Sequence, residues 1–113
     1  MDNGFAESEG MRNLKYLLGI DLGTSGTKTV LFEETGRAVA SETIEYPLYQ
    51  PKNGWAEQEP EDWWNAARDT VKAVIAKSGV KPEDVKGVGI SGQMHGLVLL
   101  DEEGRVLRRS ILW

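Results

Sequence analysis

The sequence predicts a mixed α/β domain with elements in the order βββ, α, β, followed by a further hairpin. Three observations carry this expectation. Two short apolar runs, Tyr16–Ile20 and Thr29–Phe32, flank a turn rich in Gly, Thr and Ser. One stripe of residues between Trp63 and Ile75 recurs at helical spacing, and β-favouring runs lie on both sides of it. The order is neither an alternating βαβαβ pattern nor an all-β one.

Taken in turn, the Gly-containing stretch Asp21–Gly26 joins the first two runs as a β-hairpin, and Glu33-Glu-Thr-Gly36 turns the chain into a third strand around Ala38–Ile44. Three successive antiparallel strands follow from that spacing. Pro47 to Pro60 is polar and punctuated by proline, so it reads as a loop. Pro60 then suits a first helical turn, and Glu61 and Asp62 favour the positive end of the dipole. Trp63, Ala67, Thr70, Val71, Val74 and Ile75 form the expected buried stripe, with Trp63 and Trp64 packing on or beside it. Ser78-Gly79 ends the helix and Pro82 prevents its continuation. Val85–Ile90, Leu97–Leu100 and Val106–Trp113 read as three more strands, the last two joined through Asp101–Gly104. Arg105, Arg108 and Arg109 are expected on a solvated strand edge. Residues 1–13 carry too little apolar content to pack and read as a disordered extension, leaving 14–113 as the folded part.

Composition removes several classes of function. The chain has 113 residues, enough for one domain. No cysteine and one histidine, His95, rule out a disulfide scaffold and a His/Cys zinc cluster. A net charge of −5 argues against a nucleic-acid surface. No apolar run is long enough for a membrane span and no secretory signal opens the chain, so a soluble cytoplasmic protein is expected.

Familiar signatures fail on context. Gly87-Val-Gly-Ile-Ser-Gly92 satisfies the dinucleotide-binding glycine pattern, but its glycines sit within a strand and open no helix. The P-loop pattern and the nucleophile elbow are broken at Thr27 and at Gly92-Gln93. Asp21-Leu-Gly-Thr-Ser-Gly-Thr-Lys28 is more informative. Its glycines let main chain approach a ligand, its consecutive N–H groups can form an anion nest, and Asp21 beside them can hold Mg²⁺ through water. The same residues also suit an ordinary hairpin in which Asp21 bonds its own turn. Gln93-Met-His95, after a strand end, offers directional donors and acceptors, or else a structural histidine with a core methionine. Trp55 suits packing or an aromatic contact.

Gly19–Lys28 resembles the first phosphate loop of the actin/Hsp70/sugar-kinase superfamily, whose core is ribonuclease-H-like with βββαβ order and a mixed sheet. Gly54-Trp-Ala-Glu-Gln-Glu-Pro-Glu-Asp-Trp-Trp64 and Gly89–Gly96, followed by Ile111-Leu-Trp113, are similar to the N-terminal part of the FGGY carbohydrate kinases. The Gly92-Gln-Met-His-Gly96 form is most like the branch acting on D-xylulose. The similarity runs from Tyr16 to Trp113, and departs at Glu59, where the family commonly has Asp before proline.

The resemblance implies that 14–113 is the N-terminal portion of the first of two lobes. It implies ATP and Mg²⁺ as cofactors and D-xylulose as the sugar phosphorylated to D-xylulose 5-phosphate, with another sugar, polyol or sugar acid, or a non-enzymatic nucleotide switch, as alternatives. Asp21 is then the catalytic aspartate that holds Mg²⁺ through water. Gly23, Thr24, Ser25, Gly26 and Lys28 bind phosphate, and Gln93, Met94 and His95 contact the sugar. The family's general base and adenine pocket lie outside the matched stretch, so the chain alone is expected to be catalytically silent and to self-associate through uncovered apolar faces. Neither nucleic acid nor membrane is an expected partner.

Overall fold

Alternating apolar residues in Tyr16–Leu22 (β1) and Gly26–Glu33 (β2) pair these strands antiparallel, with Leu18 opposite Leu31, Asp21 opposite Lys28 and Leu22 opposite Thr27. Because Asp21 and Leu22 remain in the ladder and β2 begins at Gly26, the expected six-residue turn contracts to Gly23-Thr24-Ser25. Ala38–Glu45 (β3) adds antiparallel to β2. This computed structural model describes residues 14–113, and the expected N-terminal extension lies outside the described residues.

A hairpin needs only a short turn, whereas a parallel partner for β1 needs a crossover. The helix Pro60–Ser78 (α1) supplies it, and Val85–Gly92 (β5) returns parallel to β1, giving a mixed sheet of order β3-β2-β1-β5. Pro60 opens α1 behind Glu59, whose side chain makes no capping bond. Gly79, left-handed at φ 72°, closes it with its N–H on the Ile75 carbonyl at 3.1 Å. A 3₁₀ turn, Pro82–Asp84, leads into β5.

The helix buries a slightly different stripe from the expected one. Ala66, Thr70 and Val74 are its buried centre, flanked by half-buried Ala67, Val71 and Ile75. Small residues let α1 sit close on β2 and β3, and Trp64, about 100° around the helix from Trp63, turns out to solvent with 64% of its surface exposed. Trp64 is therefore not a packing residue here. Leu18, Leu31 and Val74 form the core cluster, and the buried Thr29 and Thr70 hydroxyls satisfy one another at 2.7 Å.

Downstream of β5 the expected strands shrink. Leu97 and Leu100 make single bridges, to Ile111 and Val106, and only Ser110–Ile111 (β6) is a strand. Its partner, Glu57–Gln58 (β4), lies inside the expected loop. Glu57 and Gln58 look like loop residues but are 5% and 1% exposed, and tertiary partners make that burial tolerable. Arg108 pairs with the Glu57 carboxylate, while the Arg109 guanidinium lies 4.0 Å from it and 3.6 Å from the Tyr49 ring centre. Arg105 pairs with Asp101 and Glu103 in a solvated turn, and Arg108 and Arg109 also keep about two-fifths of their side chains exposed, at 43% and 40%. Trp55 is exposed, with the Lys52 ammonium 4.7 Å over its ring.

Gly26 shows how tightly the turn is built in. A Cβ there would stand 2.7 Å from the Ile44 carbonyl oxygen and 3.0 Å from the Glu45 Cα, both backbone atoms. Gly26→Ala should lower stability by about 1–3 kcal/mol in urea unfolding. Gly89→Ala, whose Cβ meets nothing within 4 Å, should not destabilise the chain.

Candidate functional site

The turn between β1 and β2 turns its carbonyls into the protein. Gly23 O accepts from the Tyr46 hydroxyl at 2.6 Å, Thr24 O from Gln58 Nε2 at 2.6 Å, Ser25 O from the Tyr46 N–H at 3.2 Å, and Gly26 O from the Gly23 N–H at 2.9 Å. Among the described residues the N–H groups of Thr24 and Ser25 donate to no protein acceptor. A turn with spent carbonyls and free N–H groups has the polarity of an anion nest.

Asp21 is exposed and faces Lys28 across the ladder. Both line an open groove of about 530 Å³ on the sheet face opposite α1, with Val30, Phe32 and Ser91. Gly19 and Gly89, neighbours on β1 and β5, leave bare backbone in its floor. Among the described residues no cluster of three or more His, Cys, Asp or Glu could hold a metal by itself. Asp21 beside the donor turn would offer a hydrated Mg²⁺ one hard oxygen, which fits the chemistry of that ion.

Gln93 and His95 line a second cavity of about 260 Å³ with Leu22, Trp63, Gly96 and Val98. His95 has φ 65°, the only positive φ outside glycine among the described residues. Such a conformation is costly and holds only where its surroundings impose it. Met94 is 73% exposed and lines neither cavity, nor does Trp55. Asp21 and Leu22 are consecutive in β1 and point to opposite faces, so the structure sets Asp21 and His95 in two cavities flanking the end of one strand.

A hydrogen-bond chain joins the two sides. The Thr24 hydroxyl donates to Gln93 Oε1 at 3.1 Å, Gln93 Nε2 to Gln58 Oε1 at 2.8 Å, and Trp63 Nε1 to the same oxygen at 3.0 Å. The Gln93 N–H also donates to the Leu22 carbonyl at 2.9 Å. The sequence reading missed Gln58 and assigned Trp63 to packing. A glutamine in a polar, proline-flanked stretch gives no local sign of burial.

A mixed β3-β2-β1-β5 sheet crossed by one helix, with a donor turn and a carboxylate at the end of its central strand, is the ribonuclease-H-like ATPase fold of the sugar kinases. Residues 16–113 match the N-terminal domain of the FGGY family of carbohydrate kinases, and the chain belongs to that family. It is 47% identical over 100 residues to a xylulose kinase of Bacillus subtilis, covering 88% of this chain and 20% of that protein. A glycerol kinase of Pediococcus pentosaceus is 36% identical over the same shares. The crystal structure of a gluconate kinase from Lactobacillus acidophilus superposes with a TM-score of 0.79 at 38% identity, covering 87% of this chain and 19% of that one. The chain thus spans about a fifth of the length of these relatives.

Tyr46 braces the turn through Gly23 O and bonds Thr27 Oγ1 at 3.0 Å. Burial pushes its phenol above the usual value of 10.0, the Asp21 and Asp62 charges add to the rise, and the Thr27 bond opposes it. A raised acid binds more protons folded than unfolded, so its contribution is complete below pH 10.0 and is lost as pH climbs through the folded value. Tyr46→Phe should cost about 1 kcal/mol at neutral pH. In denaturant unfolding, the difference between the two proteins should shrink above pH 10.0.

Proposed function

We propose that the protein carrying this chain transfers the γ-phosphoryl group of Mg·ATP to D-xylulose, forming D-xylulose 5-phosphate. The observation that carries this reading is the hydrogen-bonded junction of the donor turn with the Gln93–His95 cavity at the end of β1. Phosphoryl transfer depends mainly on positioning and on stabilising charge, and both sides of this junction suit that task. The Thr24 and Ser25 N–H groups and the Ser25 hydroxyl cradle phosphate, with Gly23 and Gly26 permitting close approach and Lys28 adding positive charge. Asp21 anchors Mg²⁺ through water, which would supply charge neutralisation at the phosphates. Gln93 and His95 hydrogen-bond the sugar hydroxyls, whereas Met94, exposed and outside this cavity, has no place against the sugar. The Gln93-Met-His95 form, together with identity to xylulose kinases, favours D-xylulose over glycerol or gluconate.

The general base and the adenine pocket belong, in this reading, to parts of the protein outside residues 14–113, and the site works in the cytoplasm. The isolated chain is silent and associates with itself, because Val88, Ile90, Leu97, Leu100, Leu107 and Trp113 each expose more than half their surface. Light scattering of the purified 113-residue chain should report a dimer or larger species, and a monomer would refute this point.

The deciding experiment is ADP release by the full-length protein with Mg·ATP and a panel of pentuloses, polyols and sugar acids. D-xylulose should be preferred, His95→Ala should raise its KM, and Asp21→Ala should lower kcat by about a hundredfold or more. Preference for glycerol or gluconate would replace the substrate. Release that ignores every sugar would overturn the kinase reading.

A further inference from the structure

Proton positions along the Trp63–Gln58–Gln93–Thr24 chain are dictated by groups that allow no choice. An indole nitrogen only donates and a peptide carbonyl only accepts. The Gln58 atom 3.0 Å from Trp63 Nε1 is therefore its oxygen, and the atom 2.6 Å from the Thr24 carbonyl is its nitrogen. The two ends of this amide are pinned independently. Gln58 Oε1 can only accept from Gln93, so the Gln93 group 2.8 Å away is its NH₂ and the opposite end, facing Thr24, is its oxygen. That oxygen only accepts. The Thr24 hydroxyl must then spend its one proton on Gln93, at 3.1 Å.

We infer that Gln58, held by Trp63, is a positioning residue that orients Gln93 and through it commits the Thr24 hydroxyl proton to the substrate loop. Thr24 thus serves the phosphate turn with its main-chain N–H alone, and its side chain serves the sugar side. The assignment of turn and loop to phosphate and sugar rests on the kinase reading, whereas the hydrogen-bond chain does not. The consequence is unusual for a residue inside a phosphate turn: deleting its hydroxyl reads out on the sugar.

In the full-length protein, Thr24→Val keeps the shape of the side chain and removes only the donor. The sugar KM should rise about tenfold, the equivalent of one lost hydrogen bond, while the ATP KM stays within about twofold. Thr24→Ser should restore the sugar KM. A rise in the ATP KM with the sugar KM unmoved, or no change in either, overturns the inference. A second readout needs no activity. With isotope-labelled Trp and Gln, Gln58→Leu should abolish slow exchange of the Trp63 indole N–H, and Thr24→Val should shift the Gln93 side-chain amide resonances. Unaltered signals refute the chain of bonds whether or not the protein is a kinase. If Gln58→Leu fails to fold, Thr24→Val decides by itself. Absence of sugar-dependent ADP release from the unsubstituted protein would defeat the kinase reading alone, and the resonances would then decide the inference.

Discussion

The junction of this domain rests on one buried amide. Gln58 is 1% exposed, and an amide removed from water must fill its donor and acceptor positions from the protein or pay for their desolvation. It fills them from four separate segments: the Pro47 and Thr24 carbonyls accept from its nitrogen, and Trp63 and Gln93 donate to its oxygen. One side chain thereby joins the β1–β2 turn, the start of α1, the loop after β3 and the loop after β5. Satisfied networks of this kind are rigid because moving any member leaves another unpaired.

The same accounting explains the polarity of the turn. Tyr46 contributes its hydroxyl and its N–H, Gln58 its amide, and Gly23 its own N–H, so every carbonyl from Gly23 to Gly26 is occupied from inside. The outward-facing main chain is left with donors. Glycine at 26 is required because the Ile44 carbonyl comes too close to admit a Cβ. The donor character of the turn comes from which backbone groups the fold has already used, as much as from the hydroxyls that the residue names advertise.

The sheet itself is covered unevenly. Leu18, Leu31 and Val74 make a small core under α1, while β5, beyond the reach of the helix, leaves Val88 at 59% and Ile90 at 70% exposure on that face. The opposite face carries Asp21, Lys28 and the Gly19–Gly89 floor. Both cavities lie where β1 and β5 run side by side, the one parallel pair in an otherwise antiparallel sheet. They meet there because the segments that follow parallel strands leave their carboxyl ends in the same direction.

The amino-acid sequence by itself determined the parts whose signals are local. Strand alternation, the helix between Pro60 and Gly79, the glycine turn after Asp21 and the motifs shared with the FGGY kinases are each written in residues contiguous in the chain. Tertiary structure decided what depends on distant partners. It turned Glu57 and Gln58 from apparent loop residues into a buried strand, because Arg108 and the amide chain arrive from 51 and 35 residues away. It reduced Leu97–Leu100 to isolated bridges, set the partly exposed Arg108 and Arg109 against the buried Glu57 carboxylate, and separated exposed Trp64 from Trp63 at the Gln93–His95 cavity. Periodicity reports which face of an element is apolar. Whether a polar residue can be buried depends on the partner that meets it, and only the folded chain supplies that partner.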